Sequence, residues 1–246
     1  MTAIKLAWHI LWILSLLAIP AAQGGVAQST PMIALLTPTE GSTVVSPIEI
    51  SAEMRPGDAS LLRVSLTNEQ NQVISRQLHY VSASGDEPFD YTAVLPFEIP
   101  TESSPALLSL MLIDKQNRPL CLRAAALTLE SDGTAVFQTL TPASPWLVIT
   151  SPEPGDLISG GEIRVIGEVT PLTAKPVIFD LYSDSGRILV TIQLAVEGPG
   201  TAVDFTLTIP YMFSSEQADA LLVIRQSASS NNGTIILDSL PLKISP

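Results

Sequence analysis

Phe89-Asp90-Tyr91-Thr92-Ala93-Val94-Leu95-Pro96 is the stretch that decides how this chain folds. Phe89, Tyr91, Ala93 and Leu95 alternate with Asp90, Thr92 and Val94, the period of two of a half-buried strand. Pro96 stops the run, because proline cannot donate to a central ladder. The phrase returns 114 residues later as Val203-Asp204-Phe205-Thr206-Leu207-Thr208-Ile209-Pro210, with Val203, Phe205, Leu207 and Ile209 on one face.

Working outward from this pair, the match extends in both directions. Thr37-Pro38-Thr39-Glu40-Gly41 lines up with Ser151-Pro152-Glu153-Pro154-Gly155, and Ile48 to Glu53 with Ile163 to Glu168. Leu62 to Leu66 lines up with Val177 to Leu181, Ala106 to Leu108 with Ala220 to Leu222, and Leu127 to Leu129 with Leu242 to Ile244. The order is collinear and the offset drifts by only a residue or two, so the chain reads as a tandem duplication.

Turn residues separate the strand-like runs. Glu69-Gln70-Asn71-Gln72 and Asp184-Ser185-Gly186-Arg187 occupy the same slot, with Asn or Gly where φ must be positive. In the strand before each, Leu62, Val64 and Leu66, or Val177, Phe179 and Leu181, face the core. Arg63 and Ser65, or Asp180 and Tyr182, are expected outside. About seven short strands in about 100 residues predict an all-β chain of two tandem immunoglobulin-like sandwiches. Their spans are 31–131 and 145–246, joined by an extended Thr/Pro-containing linker over 132–144 in which Phe137 is expected to dock.

Residues 1–27 stand apart as a signal peptide. Lys5 is the only side-chain charge before Glu40, Leu6 to Ile19 is almost wholly apolar, and Gly25-Val26-Ala27 offers a small-x-small cleavage site, with Ala22-Gln23-Gly24 a second. An uncleaved anchor is the alternative, and either reading exports the remainder. The whole chain of 246 residues has 12 basic and 24 acidic side chains, net −12. Removing the signal takes one lysine and no acid, leaving 11 basic and 24 acidic residues, net −13. That balance disfavours nucleic acid and anionic lipid as partners.

The second copy resembles the immunoglobulin-like domain of bacterial spore germination. The residues that carry the likeness are Ile149-Thr150-Ser151-Pro152-Glu153-Pro154-Gly155, the strand Ile163 to Gly167 and the hairpin Leu181 to Leu189. The strand Asp204 to Pro210 and the edge Ser227 to Gly233 complete it. The first copy departs, with Thr37-Pro38 for Ser-Pro, Ala52 for the strand glycine and Asn71 for the hairpin glycine. The resemblance implies a secreted or envelope-bound binding or structural module.

Reactive chemistry is sparse. His79 is the one histidine outside the signal and lies in a strand-like run without a nucleophile elbow. Cys121 is the sole cysteine, so no internal disulfide forms, and its apolar neighbours predict a buried, inert thiol. Asp180, Asp184 and Glu197, or Gly85-Asp86-Glu87, are the calcium candidates, weighed against solvated turn acids. Trp146 and Tyr182 are candidate contacts for a ligand, with packing or an interdomain contact favoured.

No catalytic, cofactor or metal residue is assigned, and no cofactor is expected. The expected function is an exported non-catalytic module for protein interaction or structural spacing at the bacterial cell envelope. Its partner would be an unidentified protein or envelope component, met through the turns Asp184–Arg187 and Asn231–Gly233. The alternatives are a glycan or calcium module at the interdomain face, using Trp146, Phe137 and the turn acids, and, more remotely, a hydrolase.

Overall fold

A computed structural model describes residues 32–81, 87–139, 145–212, 217–229 and 232–246. The signal peptide lies outside the described residues, as do Gly85, Asp86 and Asn231. Sixteen strands and no helix occur among the described residues. In the first copy they are β1 (Met32–Thr37), β2 (Thr43–Val45), β3 (Ile48–Arg55), β4 (Leu61–Asn68), β5 (Val73–Tyr80), β6 (Phe89–Leu95), β7 (Ser103–Ile113) and β8 (Pro119–Glu130). In the second they are β9 (Leu147–Ser151), β10 (Leu157–Ile158), β11 (Glu162–Val169), β12 (Val177–Tyr182), β13 (Ile188–Leu194), β14 (Val203–Pro210), β15 (Ala218–Ser227) and β16 (Thr234–Ile244).

Each copy is a sandwich of the immunoglobulin-like kind. In the first, the sheet β1-β3-β6 faces β5-β4-β7-β8, and in the second, β9-β11-β14 faces β13-β12-β15-β16. The count is eight strands per copy, one more than the sequence predicts. The opening strand breaks at Gly41 or Gly155, whose φ of 76° or 85° needs a residue without Cβ. After the turn the chain changes sheet: β1 pairs with β3 but β2 runs parallel to β8, and β10 runs parallel to β16.

Alternation fills the two cores. Ile48, Ile50, Ala52 and Met54 of β3 meet Leu62, Val64 and Leu66 of β4 and Leu108, Leu110 and Leu112 of β7. Ile163 and Val165 meet Phe179, Leu181, Leu222 and Ile224 in the second copy. Full burial of one such side chain stabilises by about 1.5–3 kcal/mol. Phe89, expected inside, is 39% exposed because it begins its strand at the rim of the sandwich. Gly167 has a packing reason: a Cβ there would lie 2.2 Å from the Val148 carbonyl oxygen. The first copy has Ala52 at this slot.

The two larger sheets are not separate. β8 pairs antiparallel with β16, setting Cys121 opposite Asp238, Leu122 opposite Leu237 and Arg123 opposite Ile236. One sheet therefore runs β13-β12-β15-β16-β8-β7-β4-β5 through both copies. Leu221, Val223 and Leu237 of the second copy belong to the core cluster of the first, and Tyr182 packs against it. Asp180 is accordingly 1% exposed, although it lies on the face that a lone sandwich would turn to solvent.

The segment after β8 folds back on the first copy. Val136 and Thr43 exchange backbone hydrogen bonds of 2.8 and 2.9 Å. The Gln138 N–H donates to Ser42 Oγ at 3.1 Å, and Thr39 Oγ1 donates to the Gln138 carbonyl at 2.6 Å. Phe137, expected to dock, is 50% exposed, so attachment runs through the backbone beside it.

Candidate functional site at the seam between the copies

The seam brings together a partly buried arginine and aspartate, one from each copy. Arg123 lies at an inward phase of β8, opposite Leu110, and Asp238 lies at an inward phase of β16, opposite Ile224. Pairing of β8 with β16 brings them together. Arg123 Nη2 approaches Asp238 Oδ1 at 2.8 Å, while Nη1 donates to the carbonyls of Leu122 at 2.8 Å and Leu237 at 3.0 Å. The Trp146 indole N–H donates to Asp238 Oδ2 at 2.5 Å. One carboxylate thus collects donors from the last strand of the first copy and from the start of the second.

Trp146 is 6% exposed, so it serves packing and this hydrogen bond rather than an open platform. Cys121 is fully buried beside the pair, with Sγ 3.6 Å from Asp238 Oδ1. Burial pushes its thiol up to about 12, Asp238 adds to the shift and Arg123 opposes it. A thiol held neutral is a poor nucleophile and a poor metal ligand.

A second tie lies at the hairpin tips. Asp114 accepts from the backbone N–H of Gln116 and Arg118 and from Arg118 Nε at 2.7 Å, which fixes the β7–β8 turn. Arg118 Nη1 then donates to the Ser183 carbonyl of the second copy at 3.3 Å. Gly186, at φ 79°, sits so close that a Cβ would lie 2.5 Å from the Gln116 carbonyl oxygen. The turn Asp184–Arg187, expected to meet a partner, therefore abuts the other copy. Of the second expected loop, Asn231 is outside the described residues. Asn232 accepts from Lys175 Nζ at 3.3 Å, and with Gly233 it borders the outer face of the first copy.

The remaining candidates do not converge. Asp180, Asp184 and Glu197 form no metal-binding group, and no cluster of three or more His, Cys, Asp or Glu exists among the described residues. Asp180 is instead paired with Arg225 Nε at 2.7 Å and Thr191 Oγ1 at 2.6 Å, so it is not a solvated turn acid. His79 stands edge-on to the Tyr91 ring, centroids 5.6 Å apart. On the other side of the seam, a cleft of about 650 Å³ is lined by Ile33, Leu35, Arg123, Trp146 and Asp238. Thr139 and Pro145 lie on its wall, and the residues that join them are outside the described ones.

Arg123, Asp238, Asp114 and Arg118 are the residues that sequence reading passed over. A trace was present: Arg123 and Asp238 are charges embedded in the apolar runs Leu120–Leu129 and Ile235–Leu242, at phases that face inward.

No family model matches the chain, and no curated protein matches it. Among solved structures it is similar to the fibronectin(III)-like modules of Clostridium thermocellum CbhA, at 12% identity and a TM-score of 0.28, covering 87% of this chain and 93% of that one. It is similar to the Salmonella enterica SafA pilin in complex with the SafB chaperone, at 10% identity and a TM-score of 0.29, covering 87% and 96%. It is also similar to dimeric latent PorU from Porphyromonas gingivalis, at 10% identity and a TM-score of 0.27, covering 88% of this chain and 24% of that one.

Proposed function

We propose that the protein is an exported, non-catalytic twin-sandwich module that offers one rigid surface to a protein or other component of the bacterial cell envelope. The observation that carries this reading is the seam. A spacer built of sandwiches gains length by joining them end to end. Here the last strands of the two copies lie side by side and antiparallel, which gives width and rigidity instead of reach. That favours interaction over spacing.

Three further features support the reading. Residues 1–27 have the form of an export signal, and the likeness of the second copy to the spore-germination immunoglobulin-like domain is to an extracytoplasmic module. No helix among the described residues is long and apolar enough to cross a membrane. The buried Asp114 and Asp180 and the partly buried Asp238 are each bound to an arginine as a structural tie.

Cross-linking of the exported chain in intact cells, followed by recovery from envelope fractions, tests the proposal. The expected result is an envelope partner recovered with the native chain and lost in Gly186→Ala, whose added Cβ would press within 2.5 Å of the Gln116 carbonyl oxygen of the other copy. Turnover of ester, peptide or glycoside substrates by the purified chain would overturn it. Glycan arrays and calcium calorimetry are expected to be silent, and saturable binding in either restores the ligand-binding alternative.

A further inference from the structure

The outer face of the first copy carries a trough of about 240 Å³ whose chemistry differs from its counterpart in the second copy. Arg63 and Arg76 border it, Ser65, Thr67 and Ser109 add hydroxyls, and Thr234 reaches it from the second copy. Ser65 on β4 lies opposite Arg76 on β5 and Ser109 on β7. Arg76 Nε donates to Ser65 Oγ at 3.3 Å, and Arg63 Nη2 points at Met111 Sδ at 3.0 Å, a weak acceptor. Among the described residues the ion pairs are Asp114–Arg118, Asp238–Arg123 and Asp180–Arg225, so neither of these arginines has a carboxylate. They stand near each other in a chain with twice as many acids as bases. Burial, and then Arg76 itself, lowers the pKa of the half-buried Arg63.

The repeat shows what such a slot holds. Ser65 aligns with Asp180, and the registers agree: Asp180 on β12 lies opposite Thr191 on β13 and Val223 on β15. There the carboxylate takes the Arg225 Nε–H at 2.7 Å and the Thr191 hydroxyl at 2.6 Å. The second copy supplies its own acid to an arginine and a hydroxyl. The first copy has two arginines and several hydroxyls around a serine, in an open trough.

We propose that this trough binds a carboxylate, taken from a small organic acid or from an acidic side chain, where Asp180 serves the second copy. Arg63 and Arg76 supply the charge and a fork of N–H donors, and the hydroxyls of Ser65 and Thr67 supply the shorter contacts. No covalent step is involved.

The test is a titration of the isotope-labelled exported chain, followed by the arginine Nε–H and backbone resonances. The probes are succinate, inorganic phosphate and an acetylated diglutamate peptide, with sodium chloride at matched ionic strength. Succinate or the peptide should shift β4 and β5 saturably. A stronger response to the peptide assigns the source to a polypeptide, and a stronger response to succinate assigns it to a free acid. Arg76→Gln should weaken the response at least tenfold. Ser65→Asp should raise the melting temperature and abolish the response, because the variant provides the missing acid. Phosphate binding in preference to both carboxylates, a response unchanged in Arg76→Gln, or no response beyond that of chloride would overturn the proposal. The Arg76→Gln comparison decides the matter even if Ser65→Asp fails to fold, since Arg76 is an exposed side chain.

Discussion

Asp238 Oδ1 lies 2.8 Å from Arg123 Nη2 across the seam, and the other oxygen of the same carboxylate holds the Trp146 indole. Removing the acid leaves Arg123 Nη2 and the indole N–H without this acceptor in a place that is three-quarters enclosed, while Arg123 Nη1 keeps the Leu122 and Leu237 carbonyls. Asp238→Ala should cost about 2–3 kcal/mol, more than an exposed ion pair and less than a fully buried one. Urea unfolding of the purified chain measures it. A change within about 0.5 kcal/mol would mean that the pair behaves as a surface contact.

Leu237 belongs to the second copy but is 2% exposed within the core cluster of the first. Leu237→Ala should therefore destabilise by about 2–5 kcal/mol, the range for a buried leucine. Because Leu221, Val223 and Leu237 are shared in this way, both copies should unfold in one transition. Trp146 fluorescence reports on the second copy, and hydrogen exchange in β3 and β4 reports on the first. Two well-separated midpoints in the native chain would contradict the shared core.

The sandwich was legible in the chain and the seam was not, for one physical reason. Alternation such as Phe89 to Leu95 is set by neighbours along the strand, so it appears in any short window, and its return at Val203 to Ile209 doubles the evidence. Pairing of β8 with β16 joins residues more than 100 positions apart and leaves no period of its own. Its trace is the run Ala220-Leu221-Leu222-Val223-Ile224, apolar at both phases, as a strand covered on both faces must be. Read as half of a lone sandwich, Leu221, Val223, Asp180 and Tyr182 belong outside. The same reading sends Asp184–Arg187 to a partner, whereas Gly186 fits against the β7–β8 turn.

Gly167 and Ala52 occupy one slot in the two copies and should respond differently to exchange. A methyl at Gly167 would lie 2.2 Å from the Val148 carbonyl oxygen and 3.2 Å from the Phe205 ring, so β9 would have to move. Gly167→Ala should lower stability by about 3 kcal/mol, the upper range for overpacking. Ala52→Gly removes a buried methyl and adds chain entropy to the unfolded state, a loss of about 1 kcal/mol. Melting curves of the two variants decide it, and equal losses would show that the strands separate freely at this slot.

Cys121 makes stability depend on alkaline pH. Its thiol titrates near 9 in the unfolded chain and is pushed up to about 12 by burial in the fold. Between those values the unfolded chain has released a proton that the folded chain still holds, so raising the pH favours unfolding. The contribution is whole below about pH 9 and is lost progressively from there towards 12, at up to about 1.4 kcal/mol per pH unit. Tyr91, also raised to about 12 by burial, and Tyr182, raised by burial as well, add to the slope as the pH approaches and passes their ordinary value of 10.0. Cys121→Ala should lower the urea midpoint at pH 8 by leaving a cavity, yet flatten its fall most near pH 9, where the tyrosines contribute least. Thiol labelling of the native chain at pH 8 should proceed only as fast as the chain opens. Rapid labelling of folded protein, or parallel pH slopes for the two chains, would show that the thiolate is tolerated beside Arg123.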